Sequence, residues 1–198
     1  MIIMSDTKEY IIDQAYSLFM NQSYEAVSIS DISKACGLTK GALYHHFENK
    51  EALFMAVIDK YLILNEMNVY TEEKTVAQII EETIDNVKKI VYFVLGEQPK
   101  YLPVNYLALA IDAMRHYPGF TTNKMQIMDK EVEKIKMVMD NAIERGEIRS
   151  DINTNIMAIN YFSLSAGMAT SILQNNSPQK AITLLQEQLN EFYNVLKC

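Results

Sequence analysis

Residues 28–50, SISDISKACGLTKGALYHHFENK, limit the fold of this chain more than any other segment. Ser28 and Asp31 have the spacing of a capping box, in which each side chain accepts a hydrogen bond from the other residue's backbone N–H at the start of a helix. Gly37 supplies the positive φ that ends this helix, and Thr39 caps a second short helix. The segment therefore predicts two short helices joined by a tight turn, which is a helix-turn-helix.

A characteristic order of residues runs through this segment and its flanks: Phe19, Tyr24, Ser28, Ile32, Ala35, Gly37, Leu38, Thr39, Lys40, Gly41, Leu43, Tyr44, Phe47, Lys50 and Leu53. This order resembles the N-terminal domain of TetR-type transcriptional regulators. The resemblance covers about residues 6–55, roughly a quarter of the chain. Two positions depart from the family pattern: Ser23 stands where the family often has Gly, and Ser33 stands where Ala usually follows the Ile. Neither position faces DNA in the family.

Apolar residues recur at helical spacing along the rest of the chain as well. Gly and Pro, which interrupt helices, number only 6 and 4 in 198 residues, and no strand pattern occurs. The predicted helices outside the segment cover residues 6–22, 49–64, 76–95, 103–114, 125–143, 152–174 and 178–196. We predict an all-α fold with an N-terminal three-helix helix-turn-helix DNA-binding domain in residues 1–48, followed by a larger helical ligand-binding and dimerisation domain in residues 49–198.

Side chains of the helix-turn-helix suit contact with double-stranded DNA. Lys40 can donate to guanine O6 or N7, Gly41 lets the backbone approach base edges, and the methyl group of Ala42 can contact thymine. Tyr44 and His46 can donate to phosphate oxygens, as can a lysine at the start of the following helix. By resemblance and by this chemistry, the expected DNA-binding residues are Ser28, Thr39, Lys40, Gly41, Ala42, Tyr44, His46 and Lys50. The alternative, two packed helices of an ordinary bundle, is disfavoured because the cap, the turn and the Lys-Gly-x-x-Tyr pattern agree in register.

Net charge sets an expectation about binding strength. The chain has 18 basic and 25 acidic side chains, a formal net charge of −7. Residues 28–50 alone contain three lysines and two carboxylates, so the contact surface is predicted to be locally positive. Nonspecific DNA affinity comes from neutralising phosphates. We therefore expect weak binding to random sequence and a shallow salt dependence.

The last two predicted helices suit close packing, because small residues lie along one and leucines along the other. In TetR-like proteins the corresponding helices pair with their symmetry mates in a four-helix interface, so the resemblance implies a homodimer. Such a dimer would read an inverted repeat, with its half-sites about one helical turn or somewhat more apart. The alternative is a buried helical pair within one protomer. The expected interface residues are Ile159, Ala166, Gly167, Thr170, Leu185, Leu189 and Phe192.

The middle helices are rich in methionine and aromatic residues. Met fills irregular space, and Tyr adds a hydrogen-bonding tip to an apolar wall. Together with the pocket that related proteins have, this composition predicts a site for an apolar or amphipathic small-molecule effector. For any single residue, plain core is the commoner role. The candidates are Tyr61, Met67, Tyr92, Phe93, Tyr106, Met114, Tyr117, Met125, Met128, Tyr161 and Phe162.

Little in the sequence indicates catalysis, a metal or a cofactor. Asp112 and His116 are four residues apart and could meet as an ion pair or bind a metal, but no third ligand is apparent, and we interpret them as a surface pair. Two cysteines are too few for a disulfide framework or a zinc site. The N-terminus lacks the features of a signal peptide, and no stretch approaches the roughly 20 apolar residues of a membrane span. We expect a cytoplasmic protein that is not an enzyme.

These observations favour a ligand-responsive, homodimeric DNA-binding transcriptional regulator, more often a repressor than an activator. One alternative is the same architecture controlled by a protein partner or by no ligand. Another is a helical small-molecule-binding protein or enzyme without operator binding, for which the acidic balance of residues 1–60, with five lysines, no arginine and eight carboxylates, is the best support.

Overall fold

The structure is a computed structural model that describes residues 4–62, 71–95, 103–175 and 177–198. Within these ranges the predicted all-α fold is confirmed, and the only β feature there is an isolated antiparallel bridge between Ile148 and Lys197. The described helices are α1 (Met4–Asn21), α2 (Ile29–Cys36), α3 (Lys40–His46), α4 (Lys50–Tyr61), α5 (Val76–Leu95), α6 (Pro103–His116), α7 (Phe120–Glu144), α8 (Thr154–Ala166), α9 (Met168–Asn175) and α10 (Pro178–Leu196).

The helices form two compact units. The first contains Met1–Asn65 and Val104–Thr121, and the second contains Glu66–Pro103 and Thr122–Cys198. The first unit therefore combines the helix-turn-helix with α4 and with nearly all of α6. The functional division at residue 48 that the sequence suggested stays a prediction.

The core of the first unit lies where α1 packs against α2 and α4. Phe19 of α1 meets Phe54 of α4 edge to face, with ring centroids 5.0 Å apart, and Tyr16 stacks on Tyr61 at 3.7 Å. Such aromatic pairs add about 0.5–1.5 kcal/mol beyond the area they bury. These contacts fix α1 on α4 and so hold the frame on which the helix-turn-helix rests.

The second unit is built on the packing of α10 against α5, α8 and α9. Tyr161 of α8 is 1% exposed, and its hydroxyl lies 3.0 Å from the Ile79 carbonyl and 2.9 Å from the Thr83 hydroxyl of α5. A buried hydroxyl needs partners. Tyr161 has both a carbonyl that accepts its proton and a second hydroxyl.

One predicted helix, residues 152–174, is interrupted in the structure. Gly167 lies between α8 and α9, and the Thr170 N–H donates to the Gly167 carbonyl at 3.1 Å, three residues back. The i to i+3 spacing is that of a tighter turn than the α-helix. Glycine has one of the lowest helix propensities, so an interruption of the helix at this position loses little helix stability.

No helix in the described ranges combines the length and apolar composition needed to cross a membrane. No group of three or more His, Cys, Asp or Glu side chains in the same ranges is placed to hold a metal ion.

Candidate nucleic-acid interface

Helix α2 begins with the capping box that the sequence predicted. The Ser28 hydroxyl accepts from the Asp31 N–H at 3.2 Å, and the Ser28 N–H donates to the Asp31 carboxylate at 3.0 Å. The Ser28 hydroxyl also donates to that carboxylate, at 2.5 Å. This hydroxyl and then the backbone N–H of Ser28 hold the pKa of Asp31 below its ordinary value. Gly37 ends the helix with φ 67°, as predicted.

Helix α3 buries one face and exposes the other. The Thr39 side chain accepts from the Ala42 N–H at 3.2 Å, which fixes the helix start. Leu43 is fully buried and Phe47 is 5% exposed, whereas Tyr44 is 50% exposed. Lys40 and Gly41 are exposed as well. Within the first unit, the leading edge of α3 therefore lies open to solvent over an apolar underside.

The remaining predicted DNA contacts differ in exposure. Ser28 and Thr39 are exposed, but their side chains serve as the two caps described above. Ala42 and His46 are half-buried. Of the eight predicted residues, those that the structure places together on the open face of α3 are Thr39, Lys40, Gly41 and Tyr44.

Lys50, at the start of α4, faces the protein. Its amine donates to the carbonyls of Tyr24 at 2.9 Å and Val27 at 3.1 Å, and it lies 4.0 Å from the centroid of the Tyr24 ring. Two of its three N–H groups are therefore used within the first unit. The sequence assigned this amine to a phosphate and gave no sign of these partners.

Of the other lysines in residues 4–62, two contact side chains of the first unit and two are exposed. The Lys60 amine lies 2.8 Å from Glu9 and 2.5 Å from Asp13, so its charge is balanced by two carboxylates. The Lys8 amine lies 5.4 Å from the centroid of the Phe47 ring. Lys34 and Lys40 are exposed. Few cations are thus placed at the surface of α2 and α3, and the shallow salt dependence stays a prediction.

The loop between α1 and α2 is also held by the C-terminal end of α6. The Tyr24 N–H donates to the Asp112 carboxylate at 2.7 Å, and the His116 ring stacks on Tyr24 with centroids 4.3 Å apart. His116 Nε2 lies 3.6 Å from the Glu25 carboxylate. The interpretation of Asp112 and His116 as a surface pair is wrong: Asp112 is 9% exposed, and both side chains turn to this loop.

The predicted effector residues are spread over both units. Met67 lies outside the described residues. Tyr61, Tyr106, Met114 and Tyr117 belong to the first unit, and Tyr92, Phe93, Met125, Met128, Tyr161 and Phe162 belong to the second. In the first unit Met114 and Tyr117 line an open cavity of about 390 Å³ at the end of α6. In the second, Met128 and Phe162 line a groove of about 270 Å³ between α7 and α8.

Several of these candidates already have structural roles. The Tyr61 hydroxyl donates to Asp13 at 2.8 Å, and burial, followed by this contact, raises its pKa. The Tyr117 hydroxyl donates to Asp59 at 2.8 Å. Tyr161 belongs to the core of the second unit. Tyr92, Phe93, Met114 and Met125 are exposed.

The predicted interface residues fall into two groups, one exposed to solvent and the other in the core of the second unit. Ile159 is 41% exposed, and Ala166, Gly167 and Thr170 are exposed as well. Leu185 and Leu189 instead fill the core of the second unit, and Phe192 meets Tyr161 edge to face at 6.1 Å. The outward apolar residues of α10 are Leu184 and Val195. The spacing of leucines identified an apolar face but not the partner that covers it.

The capped turn, the buried underside of α3 and its open upper face define a helix-turn-helix DNA-binding protein. Residues 11–57 match the family model described as bacterial regulatory proteins, tetR family. Residues 11–57 of the chain therefore match the N-terminal domain of TetR-family regulators.

Curated relatives match either a shorter stretch of the chain at higher identity or most of the chain at lower identity. The chain is 35% identical over 79 residues to the HTH-type transcriptional repressor ComR of Escherichia coli strain K12, and the match covers 38% of each protein. It is 26% identical over 172 residues to the HTH-type transcriptional regulator UidR of the same strain, with 84% of this chain and 81% of UidR covered. The chain thus spans well under half the length of ComR.

Solved structures extend the likeness to the whole fold. A TetR transcription regulator from Haloarcula marismortui superposes with a TM-score of 0.71 at 15% identity, covering 98% of this chain and 100% of that one. The SmeT–triclosan complex superposes with a TM-score of 0.65 at 16% identity, covering 92% and 89%. At these identities the likeness shows the fold alone.

Proposed function

We propose that this protein is a transcriptional repressor that binds a palindromic DNA operator as a homodimer and leaves it when a small molecule binds. The observation that carries the proposal is the open face of α3, where Lys40, Gly41 and Tyr44 stand over fully buried Leu43. Insertion into a major groove requires a helix that is held by its buried side and exposed on the opposite side. The name of ComR, a transcriptional repressor, supports the direction of control.

On DNA, the residues of α3 take different roles. Lys40 donates to a guanine edge, Gly41 allows close approach of the backbone, and Ala42 contacts a thymine methyl group. Tyr44 and His46 donate to phosphates, and N–H groups at the start of α2 add another phosphate contact. Such a repressor acts in the cytoplasm, where its operator lies.

Dimer formation is supported by the outward surface of α8, α9 and α10. Ile156 is 46% exposed and Ile159 41%, and the following turns expose small residues that include Ser163, Ala166, Gly167 and Thr170. Small residues let helices approach closely, and a two-fold dimer places the same face against itself. Leu184 and Val195 of α10 are exposed apolar residues as well.

Effector binding is supported by the two cavities described above and by the fold shared with SmeT, whose solved complex contains triclosan. The groove between α7 and α8 is lined by apolar Met128, Val132 and Phe162, with Asp129 and Glu133 among its polar residues. An amphipathic molecule suits such a lining. It shifts the protein away from the DNA-binding conformation only by its difference in affinity for the two states.

The proposal is tested by selecting duplexes from random DNA with the purified protein and measuring their affinity by fluorescence anisotropy. Lys40→Ala and Tyr44→Ala should each weaken binding by about tenfold, on the scale of one to two lost polar contacts. Tyr10→Ala is the matched control, because Tyr10 is a tyrosine of α1 that is 45% exposed and lies outside the helix-turn-helix. Failure to select any sequence, or equal binding by all variants, contradicts operator recognition by α3.

A further inference from the structure

The loop between α1 and α2 is held from three directions within the first unit. Asp112 of α6 accepts from its Tyr24 N–H at 2.7 Å, His116 stacks on the Tyr24 ring, and Lys50 of α4 binds two of its carbonyls. Val27, whose carbonyl accepts from Lys50 at 3.1 Å, directly precedes Ser28. Ser28 is the residue that caps α2. The position of Lys50 therefore sets where the helix-turn-helix begins.

The contacts of the Lys50 amine differ from those expected of a phosphate ligand. It makes two charge-assisted hydrogen bonds, which are stronger than neutral ones, and its charge lies against the face of an aromatic ring. The side chain is half-buried. To reach a phosphate, the amine would have to leave one or both carbonyls partly buried without a donor, a change that carries its own cost.

We propose that Lys50 acts in DNA binding as a positioning residue: it closes the Tyr24–Val27 loop onto the start of α4, and so orients α2 and α3, instead of neutralising a DNA phosphate. This inference rests on the proposed function, because it concerns how the operator-binding surface is held. It reverses the role that the sequence gave to Lys50, while it leaves Lys40 and Tyr44 as the residues that touch DNA.

The two roles predict different salt dependence. Each phosphate that a cation neutralises contributes about −0.9 to the slope of log affinity against log salt concentration, so losing one contact from each protomer of a dimer makes the slope shallower by about 1.8. A positioning residue contributes affinity without contributing to this slope. Lys50→Met should therefore weaken binding to a selected duplex by about tenfold at every salt concentration, giving a line parallel to that of the wild type.

Two further variants sharpen the test. Lys40→Met removes a cation that the proposed function assigns to a guanine edge, so it should weaken binding with little change in slope and shows how a lost base contact differs from a lost phosphate contact. Lys50→Gln removes the charge but keeps an amide that donates to a carbonyl, although its side chain is one atom shorter. It should regain part of the affinity that Lys50→Met loses and keep a line parallel to that of the wild type, whereas a phosphate contact predicts a slope shallower by about 1.8 in both neutral variants.

Hydrogen exchange provides a readout that needs no DNA. In Lys50→Met, amides of residues 24–31 should exchange faster than in the wild type, while amides of α5 and α10 should be unchanged. Circular dichroism melting confirms that each variant is folded at the assay temperature, and Lys50→Gln is used instead if the Met variant is not folded.

A slope shallower by about 1.8 in Lys50→Met, or unchanged exchange in residues 24–31, overturns the inference. If the wild type selects no duplex, the proposed function fails, and the exchange result still decides whether Lys50 holds the loop.

Discussion

The open faces of α3 and of α8 with α9 have opposite chemistry. On α3 the exposed groups are the Lys40 amine, the Gly41 backbone and the Tyr44 side chain. On α8 the exposed groups include Ile156 and Ile159, followed by Ala166, Gly167 and Thr170 around the junction with α9. Cationic and hydroxyl groups suit a phosphate-lined groove, whereas exposed apolar surface marks a protein contact. The two faces therefore suit different partners.

Both helices nevertheless bury their other side completely. Leu43 of α3 is 0% exposed and Tyr161 of α8 is 1% exposed. In each case the buried residue fixes the helix, and the exposed residues are left for a partner. Substitutions on the two sides of each helix should therefore affect different quantities, which the following predictions use.

The largest effect is expected from a charge placed on the apolar face. Ile159→Asp should weaken self-association by about 3–5 kcal/mol, because a dimer interface there would bury a carboxylate without a partner. Sedimentation equilibrium measures the change. Tyr10→Asp, at a position of similar exposure in the first unit, should leave association unchanged. A monomeric wild type, or a dimer that survives Ile159→Asp, would show that this face is not the interface.

On α3, a substitution on the buried side should lower stability, whereas one on the exposed side should weaken DNA binding and leave stability nearly unchanged. Leu43→Ala should lower the free energy of unfolding by about 2–5 kcal/mol, since it removes a fully buried leucine and leaves a cavity. Tyr44→Ala, one residue along, should change it by less than about 0.5 kcal/mol. Urea denaturation measures both. Equal losses would mean that Tyr44 is part of the core and is not available to DNA.

Removing the buried Tyr161 hydroxyl of α8 tests how much its hydrogen bonds stabilise the core of the second unit. Tyr161→Phe should cost about 1–3 kcal/mol of unfolding free energy, because it leaves the Thr83 hydroxyl and the Ile79 carbonyl with one partner fewer. Tyr92→Phe is the matched control, since the Tyr92 hydroxyl is exposed and 3.5 Å from Gln179. A loss in Tyr161→Phe no larger than in the control would refute the role given to this hydroxyl.

Much of the helix-turn-helix could be predicted because its signals are local. Ser28 and Asp31 are three residues apart, and Thr39 caps the N–H of Ala42, so the sequence itself displays each pair. The partners of Lys50 and Asp112 could not be predicted in the same way. The Lys50 amine meets a carbonyl 26 residues away, and Asp112 accepts from an N–H 88 residues away, at separations that no spacing rule covers.

The second unit shows a related limit. The leucines of α10 lie at helical spacing, and this spacing correctly predicted a helix with an apolar face. It did not reveal that Leu185 and Leu189 are covered within the same protomer while Leu184 and Val195 face outward. Periodicity gives the apolar face of a helix, but the residue that covers this face depends on tertiary packing. The interruption at Gly167 was also missed, because one glycine in a long apolar pattern is compatible with a continuous helix.

The smallest effect concerns acid and the cap of α2. The pKa of Asp31 is lowered in the folded protein by the hydroxyl and then the N–H of Ser28, from an ordinary value of 3.8. A depressed carboxyl pKa stabilises the fold above the unfolded value, and this contribution is lost as the pH falls through the folded value. The free energy of unfolding should therefore fall more steeply between neutral pH and about pH 3 in the wild type than in Asp31→Asn. The Asn side chain keeps an acceptor oxygen but does not titrate. Because the two proteins differ only at residue 31, a difference between the two profiles reports on the cap. Superimposable profiles would mean that the capping box adds no pH-dependent stability, and that α2 is held mainly by its packing on α1.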